Sequence, residues 1–444
     1  RYYHSRSTLE QKREMVDLLP LVEVEGQDPL TLAANVRVRV RDQAHVERDT
    51  LKIVEKVRKG GDGTLRELTR EFDHATIGEI RVDDSDVRAA LGDIDPELVK
   101  ALKFSLNRIR KTQSQLLKRL AYSYVSDGFV IRTVPKALAS VGCYVPGGRA
   151  AYASSVLMTA GVAKLAGVRR VIVCSPPSPD GNVNPAILAA ARICGVDEVY
   201  RVGGAQSIAA MAYGTESIPS VEKIVGPGGL YASVAKRLVS RDVPVDFFAG
   251  PTELVIVADD STDALAAAWD LVGQAEHGEE TLCGLITWDL STAKKVRLEA
   301  ARIAKTVERG EFVRKALAKG FVAVCRDKEE ALRLVNAIAP EHLELLVNDA
   351  RVFATKVENA GLILVGKFAP CAASDYCIGT DHVIPTEGYA RLRTGLSALD
   401  FVKLNWVAEG SKDGLKSVLP SLKSLATAEG LPNHYRSVES RYKG

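Results

Sequence analysis

The sequence sets an acid and an imidazole side by side behind a proline, Glu341 and His342 in "APEHLELLV" (Ala339–Val347). Such a pair can move a proton or activate a water. It also suits the opening of an ordinary helix, with Pro340 at a first helical position and a Glu in the first turn complementing the dipole. The seven histidines divide by context. His4, His45 and His74 lie in polar or helical surroundings with no partner in view. His277 ("GQAEHG"), His342, His382 ("GTDHVIPT") and His434 ("EGLPNHYRS") come late and mostly near acids. Gln274 and His277 share a helix end, spaced so that both side chains can face one point. Imidazoles with a carboxylate such as Asp375 ("SDYC") suit zinc or another divalent ion. Spacing alone does not prefer Gln274 to Glu276 as a ligand, and a histidine at a helix end often does no more than complement the dipole.

Three glycine-rich stretches follow strand-like runs: "YVPGG" (Tyr144–Gly148), "VGGAQ" (Val202–Gln206) and "VGPGG" (Val225–Gly229). None is a G-x-G-x-x-G fingerprint, and a single Gly after a strand usually marks a tight turn. Together they favour a nucleotide site, because glycines let phosphates approach backbone N–H groups. In open α/β sheets such sites lie at the carboxyl ends of strands.

The elements that must position these residues fall into four regions. The segment 1–29 is short, with a polar start, and is expected to pack on something else. From about Leu30 to Asp127 the pattern is charged and helical, as in "RDTLKIVEKVRKGGDGTLRELTREF". From Val141 strand and helix alternate: "RRVIVCSPP", "NPAILAAARICG", "DEVYRVGG", "AQSIAAMAYG", "EKIVGPGG", "LYASVAKRLVS". The alternation resumes at "ELVIVADD" and continues through "GLITW", "FVAVC" and "AGLILVG". Repeated strand–helix units imply parallel sheets covered on both faces. The expected fold is α/β, with two tandem Rossmann-like parallel-sheet domains, incomplete and doubly wound, and small helical segments at each end. Residues 30–142 plus 250–394 would form a main domain carrying the catalytic and metal residues. Residues 143–249 would form a second domain for the dinucleotide, and 395–444 a charged, helical C-terminal segment.

Bulk properties set the limits. A chain of 444 residues exceeds what one core usually supports. Its formal charge of +3, from 59 basic and 56 acidic residues, gives no case for nucleic-acid or membrane-surface binding. Basic runs such as "VRVRVRDQ" (Val36–Gln43) and "LNRIRKTQSQLLKR" read as solvated faces. Seven scattered cysteines without a C-x-x-C pair read as reduced thiols, and no apolar run or signal-peptide pattern points to a membrane. A cytoplasmic protein is expected.

The motifs "YVPGGRAAYASSVLMTA", "VGGAQSIAAMAYGT", "KIVGPGG", "AGPTELVIVAD", "LVGQAEHG", "APEHLEL", "SDY…GTDHVIPT", "GLSALDF" and "AEGLPNH" occur in order. On them the chain resembles the histidinol dehydrogenase family from about residue 30 to its end. The resemblance implies an enzyme that oxidises L-histidinol through the aldehyde to L-histidine with two NAD, in the last steps of histidine biosynthesis. It implies one zinc per subunit, held by Gln274, His277, Asp375 and His434, and Glu341 and His342 as the catalytic pair. Substrate contacts would fall on Thr252, Gln274, His277, His342, Asp375, Glu429 and His434, and dinucleotide contacts on Tyr144, Gln206 and Gly229. It further implies an intertwined homodimer in which the C-terminal segment completes the neighbour's site.

The chain departs from the family pattern in three places. It reads "GPGG" where the family usually has GPGN, which removes an amide at Gly229. Thr252 stands where Ser is usual, and Asp381 where Asn is common. Three rival readings remain: a paralogous zinc and NAD enzyme acting on another polar alcohol such as a sulfonated propanediol, a metabolite-binding protein, and a metal-dependent hydrolase. Intact Glu341-His342 speaks against the second, the glycine-rich strand ends against the third.

Overall fold

A computed structural model describes residues 18–37, 43–147, 151–248 and 250–442. His4, Gly148 and most of the "VRVRVRDQ" run lie outside these residues. The strands are β1 (Leu21–Val22), β2 (Ser123–Ser126), β3 (Phe129–Ala137), β4 (Ser140–Tyr144), β5 (Arg170–Ser175), β6 (Glu198–Arg201) and β7 (Lys223–Val225). Then come β8 (Glu253–Ala258), β9 (Leu282–Thr287), β10 (Phe321–Val324), β11 (His342–Leu346), β12 (Leu362–Val365) and β13 (Val402–Gly410). They build a six-stranded sheet, β1-β10-β9-β8-β11-β12, and a four-stranded sheet, β6-β5-β4-β7, both wholly parallel.

Strands β8 and β9 are buried along their whole length, as expected where both faces of a sheet are covered. Apolar clusters fill both faces of each sheet. Local signals set several helix limits. Asn184 caps Pro185–Cys194 through Ala186 N, and Gly195 ends that helix in the left-handed region at φ 76°. Asp263 caps Ala264–Ala275, the helix that carries Gln274.

Four expectations are corrected. The "APEHLELLV" stretch does not open a helix. Ala339, at φ 51°, ends the helix Lys328–Ile338, and His342 is the first residue of β11. The C-terminal segment is not purely helical, since it contains β13, and Leu21–Val22 gives the N-terminal segment an edge strand. The region read as helical before Asp127 also contains β2, which with β3 and β13 forms an antiparallel sheet. Finally, most of 43–142 packs with the second sheet rather than the first. Ile53, Val57 and Leu68 share a core with Ile172 and Tyr200, while Leu102, Leu106 and Ile109 share one with Val141 and Val171. The expected boundary after residue 142 falls inside β4. The apolar faces of these charged helices had to be covered, and the four-stranded sheet offered the free surface.

Candidate active site

The two sheets meet at a cavity of about 1260 Å³. They present opposite ends to it. The four-stranded sheet brings a carboxyl end, the turn after β7, where Gly228 and Gly229 line the wall. The six-stranded sheet brings amino ends: Thr252 precedes β8, and Glu341 and His342 lie at the start of β11, in register with Leu254. Gln274 and His277 arrive from the helix preceding β9, and Asp375 from the short helix Cys371–Tyr376.

Glu341 is almost wholly buried, and its Oε2 accepts from Thr252 Oγ1 at 2.6 Å and Glu253 N at 2.7 Å. Gln274 Nε2 donates to the same threonine hydroxyl at 2.7 Å. His342 is 2% exposed. Its Nδ1 lies 3.2 Å from the carbonyl oxygen of Glu253, which can only accept, so in the neutral ring Nδ1 carries the proton and Nε2 the lone pair. Nε2 has no hydrogen-bond partner and stands 3.6 Å from Asp375 Oδ1. Burial opposes a charged imidazole at His342, but the neighbouring Cys371 and Glu341 side chains outweigh it and hold its pKa well above the ordinary value.

Behind this pair lies a support that the sequence did not disclose. Glu253 is buried; its carboxylate accepts from Glu341 N at 3.2 Å and Glu387 N at 2.9 Å, with Arg37 Nε at 3.7 Å. Burial pushes the Glu253 pKa up to about 7 against the pull of Arg37. Arg37 also donates to the carbonyl of Ile338, so it is no solvated residue of a basic run. Alternation of Arg and Val gave no sign of this, because a buried arginine is visible only through its partner. Glu344, two residues along β11, accepts from Cys371 N and tethers the Asp375 helix. Burial, with Asp270 adding to it, raises Glu344 to about 8.

Of the other expected residues, Thr252, Gln274, His277, Asp375 and Gly229 line the cavity with Glu341 and His342. Tyr144 and Gln206 do not; both are buried at the carboxyl end of the four-stranded sheet, where Gly204 N reaches the Tyr144 hydroxyl at 3.4 Å. Glu429 and His434 are exposed on the C-terminal arm and do not line it. The "VGPGG" turn is rigidly braced. Gly226 has φ 122°, and a Cβ there would sit 2.1 Å from the Tyr144 carbonyl oxygen. Its N–H donates to Asp246, its carbonyl accepts from Lys236, and those two side chains form a buried ion pair. His382, also lining the cavity, shares a hydrogen bond with Ser154 Oγ at 3.1 Å, and burial lowers its pKa.

A buried acid and imidazole at one parallel sheet thus share a cavity with a glycine-rich turn of a second. A sequence profile of the family described as histidinol dehydrogenase matches residues 36–442. Histidinol dehydrogenase of Methanosarcina mazei is 40% identical over 88% of this chain and 90% of that protein. The Bacillus cereus protein of that name is also 40% identical, over 90% and 93%. The solved histidinol dehydrogenase of Elizabethkingia anophelis superposes with a TM-score of 0.90 at 31% identity, covering 94% of this chain and 97% of that one. The chain belongs to the histidinol dehydrogenase family.

Proposed function

We propose that the chain is an NAD-dependent, zinc-containing dehydrogenase that oxidises L-histidinol through L-histidinaldehyde to L-histidine, the final steps of histidine biosynthesis. The observation that carries this is the state of His342, with Nδ1 tied to a backbone carbonyl and Nε2 free at the cavity wall. A lone pair so fixed can take the hydroxyl proton of an alcohol as hydride departs. Glu341, gripped by Thr252 and Glu253 N, would activate the water that adds to the aldehyde. Once the carbonyl is hydrated, His342 can take a second hydroxyl proton from the same position.

The donors present fit zinc. Gln274, His277 and Asp375 offer an amide oxygen, an imidazole and a carboxylate to one cavity, beside a buried imidazole nitrogen that lacks a partner. His434 from a second copy of the chain would complete the set, with Glu429 of that copy binding the substrate ammonium. When bound, zinc would supply a Lewis acid for the substrate and a positive charge that opposes protonation of His342, and NAD the hydride acceptor. The turn at Gly228-Gly229 and the nearby Tyr144 and Gln206 are the proposed dinucleotide side.

A homodimer is supported by the apolar side chains left outside. Tyr124, Val125 and Trp406 on the antiparallel sheet are 59%, 69% and 66% exposed, and Leu425 on the following helix 65%. Among the described residues, no helix is long and apolar enough to cross a membrane. With the family's biosynthetic role, this supports a cytoplasmic site of action.

A sulfonated alcohol is disfavoured. Such an anion needs a free cation, and among the described lining residues Arg37 is engaged by Glu253 and Ile338, and Lys319 by Glu280. The test is NADH formed per histidine, with and without a chelator. About two NADH per histidine, lost on chelation and restored by zinc, is expected. Failure of folded, zinc-loaded protein to oxidise histidinol would overturn the proposal.

A further inference from the structure

Beside the cavity, His342 and Asp375 meet a third donor, the buried Cys371, which the proposed reaction leaves unused. His342, Cys371 and Asp375 each offer a ligand atom, and the three atoms lie within 4.8 Å of one another. His342 Nε2 and Asp375 Oδ1 are 3.6 Å apart. Two ligands at about 2.1 Å from a tetrahedral ion are separated by roughly 3.4 Å, so this edge needs almost no adjustment. Nε2 belongs to an imidazole that is 2% exposed, and it has no hydrogen-bond partner. A buried acceptor in that condition calls for a donor or a cation. The Cys371 thiol donates to Gln274 Oε1 at 3.5 Å, and a thiol is a weak donor, so the contact is cheap to give up. Sulfur is also what distinguishes this set from Gln274, His277 and Asp375, which are hard or borderline donors.

We propose that His342 Nε2, Cys371 Sγ and Asp375 form a second, inhibitory metal site that takes thiophilic divalent ions such as excess zinc or cadmium. The inference rests on the reading that a first ion belongs to Gln274, His277 and Asp375. Asp375 has two oxygens and can serve both ions. As the sulfur–metal bond forms, the thiol proton passes to solvent. The second ion then occupies the Nε2 lone pair that would accept the substrate's hydroxyl proton. Because it must break the thiol–Gln274 contact and share Asp375, this site fills after the first.

Cobalt(II) titration of metal-free, full-length protein tests this, with absorption and NADH formation followed together. The first equivalent is expected to activate histidinol oxidation without a thiolate-to-cobalt charge-transfer band. The second should bring that band and lower activity by ~100-fold or more at saturation, the order that loss of a general base costs. Within the Cys371→Ser or Cys371→Ala protein, the second equivalent should bring neither the band nor a fall below that variant's own activity at one equivalent. Cys377→Ser, which removes the exposed cysteine nearby, should leave both effects intact. Cadmium NMR of the unaltered protein gives the same readout, since sulfur ligation moves the cadmium signal strongly downfield. A band at the first equivalent, no band at all, or a band that survives loss of Cys371 would overturn the second site. If the band appears at the second equivalent but no cobalt loading supports histidinol oxidation, the functional reading fails and the site stands.

Discussion

The two parallel sheets serve the cavity by different means. The four-stranded sheet meets it with a carboxyl end and offers mainly backbone, in a turn where Gly226 is fixed by conformation and Gly229 faces open space. That is the usual arrangement for a ligand in an open α/β sheet. The six-stranded sheet meets it with amino ends and offers side chains: Thr252, Glu341 and His342, each locked by hydrogen bonds. A backbone surface tolerates substitution wherever a Cβ finds room. A set of interlocked side chains does not, because removing one leaves its buried partners unsatisfied.

The contrast predicts a graded series of effects. The largest belong to the side-chain half. His342→Ala should lower histidine formation by about 100- to 10,000-fold with folding retained, the range for a lost general base. Glu341→Gln should slow histidinaldehyde oxidation far more than histidinol oxidation. Single-turnover NADH traces starting from each compound separate the two, and equal slowing would remove Glu341 from water activation. Next comes the arm that lies outside both sheets. His434→Ala should lose zinc, measured by metal content. Mixing it with Glu341→Gln protein should restore roughly a quarter of wild-type activity if subunits exchange and sites are shared across a dimer. No recovery would place each site within one chain.

A smaller effect tests the support behind the pair. Glu253 has a folded-state pKa raised from 4.5 to about 7 by burial. A raised carboxyl stabilises the fold fully below its unfolded pKa and loses that contribution as pH rises through the folded one. Stability should therefore fall by about 3 kcal/mol between pH 4.5 and 7 on account of this group. Glu253→Gln should flatten that slope in denaturant unfolding measured across the window; an unchanged slope would mean that Arg37 keeps Glu253 ionised. The smallest effect belongs to the backbone half. Gly229 has φ −65° and no atom within 4 Å of an added Cβ, so Gly229→Asn should fold normally. It should lower the KM for NAD by no more than about tenfold, the worth of one hydrogen bond. A rise in KM would show that the open space is needed by the dinucleotide.

Much of this was legible in the residues. Alternating strand and helix from Val141 was readable because buried parallel strands are continuous apolar runs and the helices carry caps such as Asn184 and Gly195. The cluster of Thr252, Gln274, His277, Glu341, His342 and Asp375 followed from family motifs, and the cavity gathers all six. The misreading of "APEHLELLV" has a local cause. A short apolar run behind a proline is compatible with helix or strand, and only the left-handed Ala339 and the pairing with β8 and β12 decide it. The hairpin of β2 and β3 went unseen because its residues are mostly exposed or half-buried and its third strand lies far along the chain. Arg37, Glu253 and Glu344 carried no pattern of their own; their importance is a matter of which buried group each touches.

That distant third strand bears on how the polypeptide acquires its shape during synthesis. Residues 402–410 pair with residues 129–137 along their whole length, while the intervening sequence folds into nearly all the remaining sheet structure. A contact of such span closes slowly and cannot begin until residues 402–410 have left the ribosome. The arm bearing Glu429 and His434 emerges only after that strand. The two residues proposed to serve a neighbouring molecule are thus made after that strand, when Glu341 and His342, at the start of β11, have already had time to be enclosed.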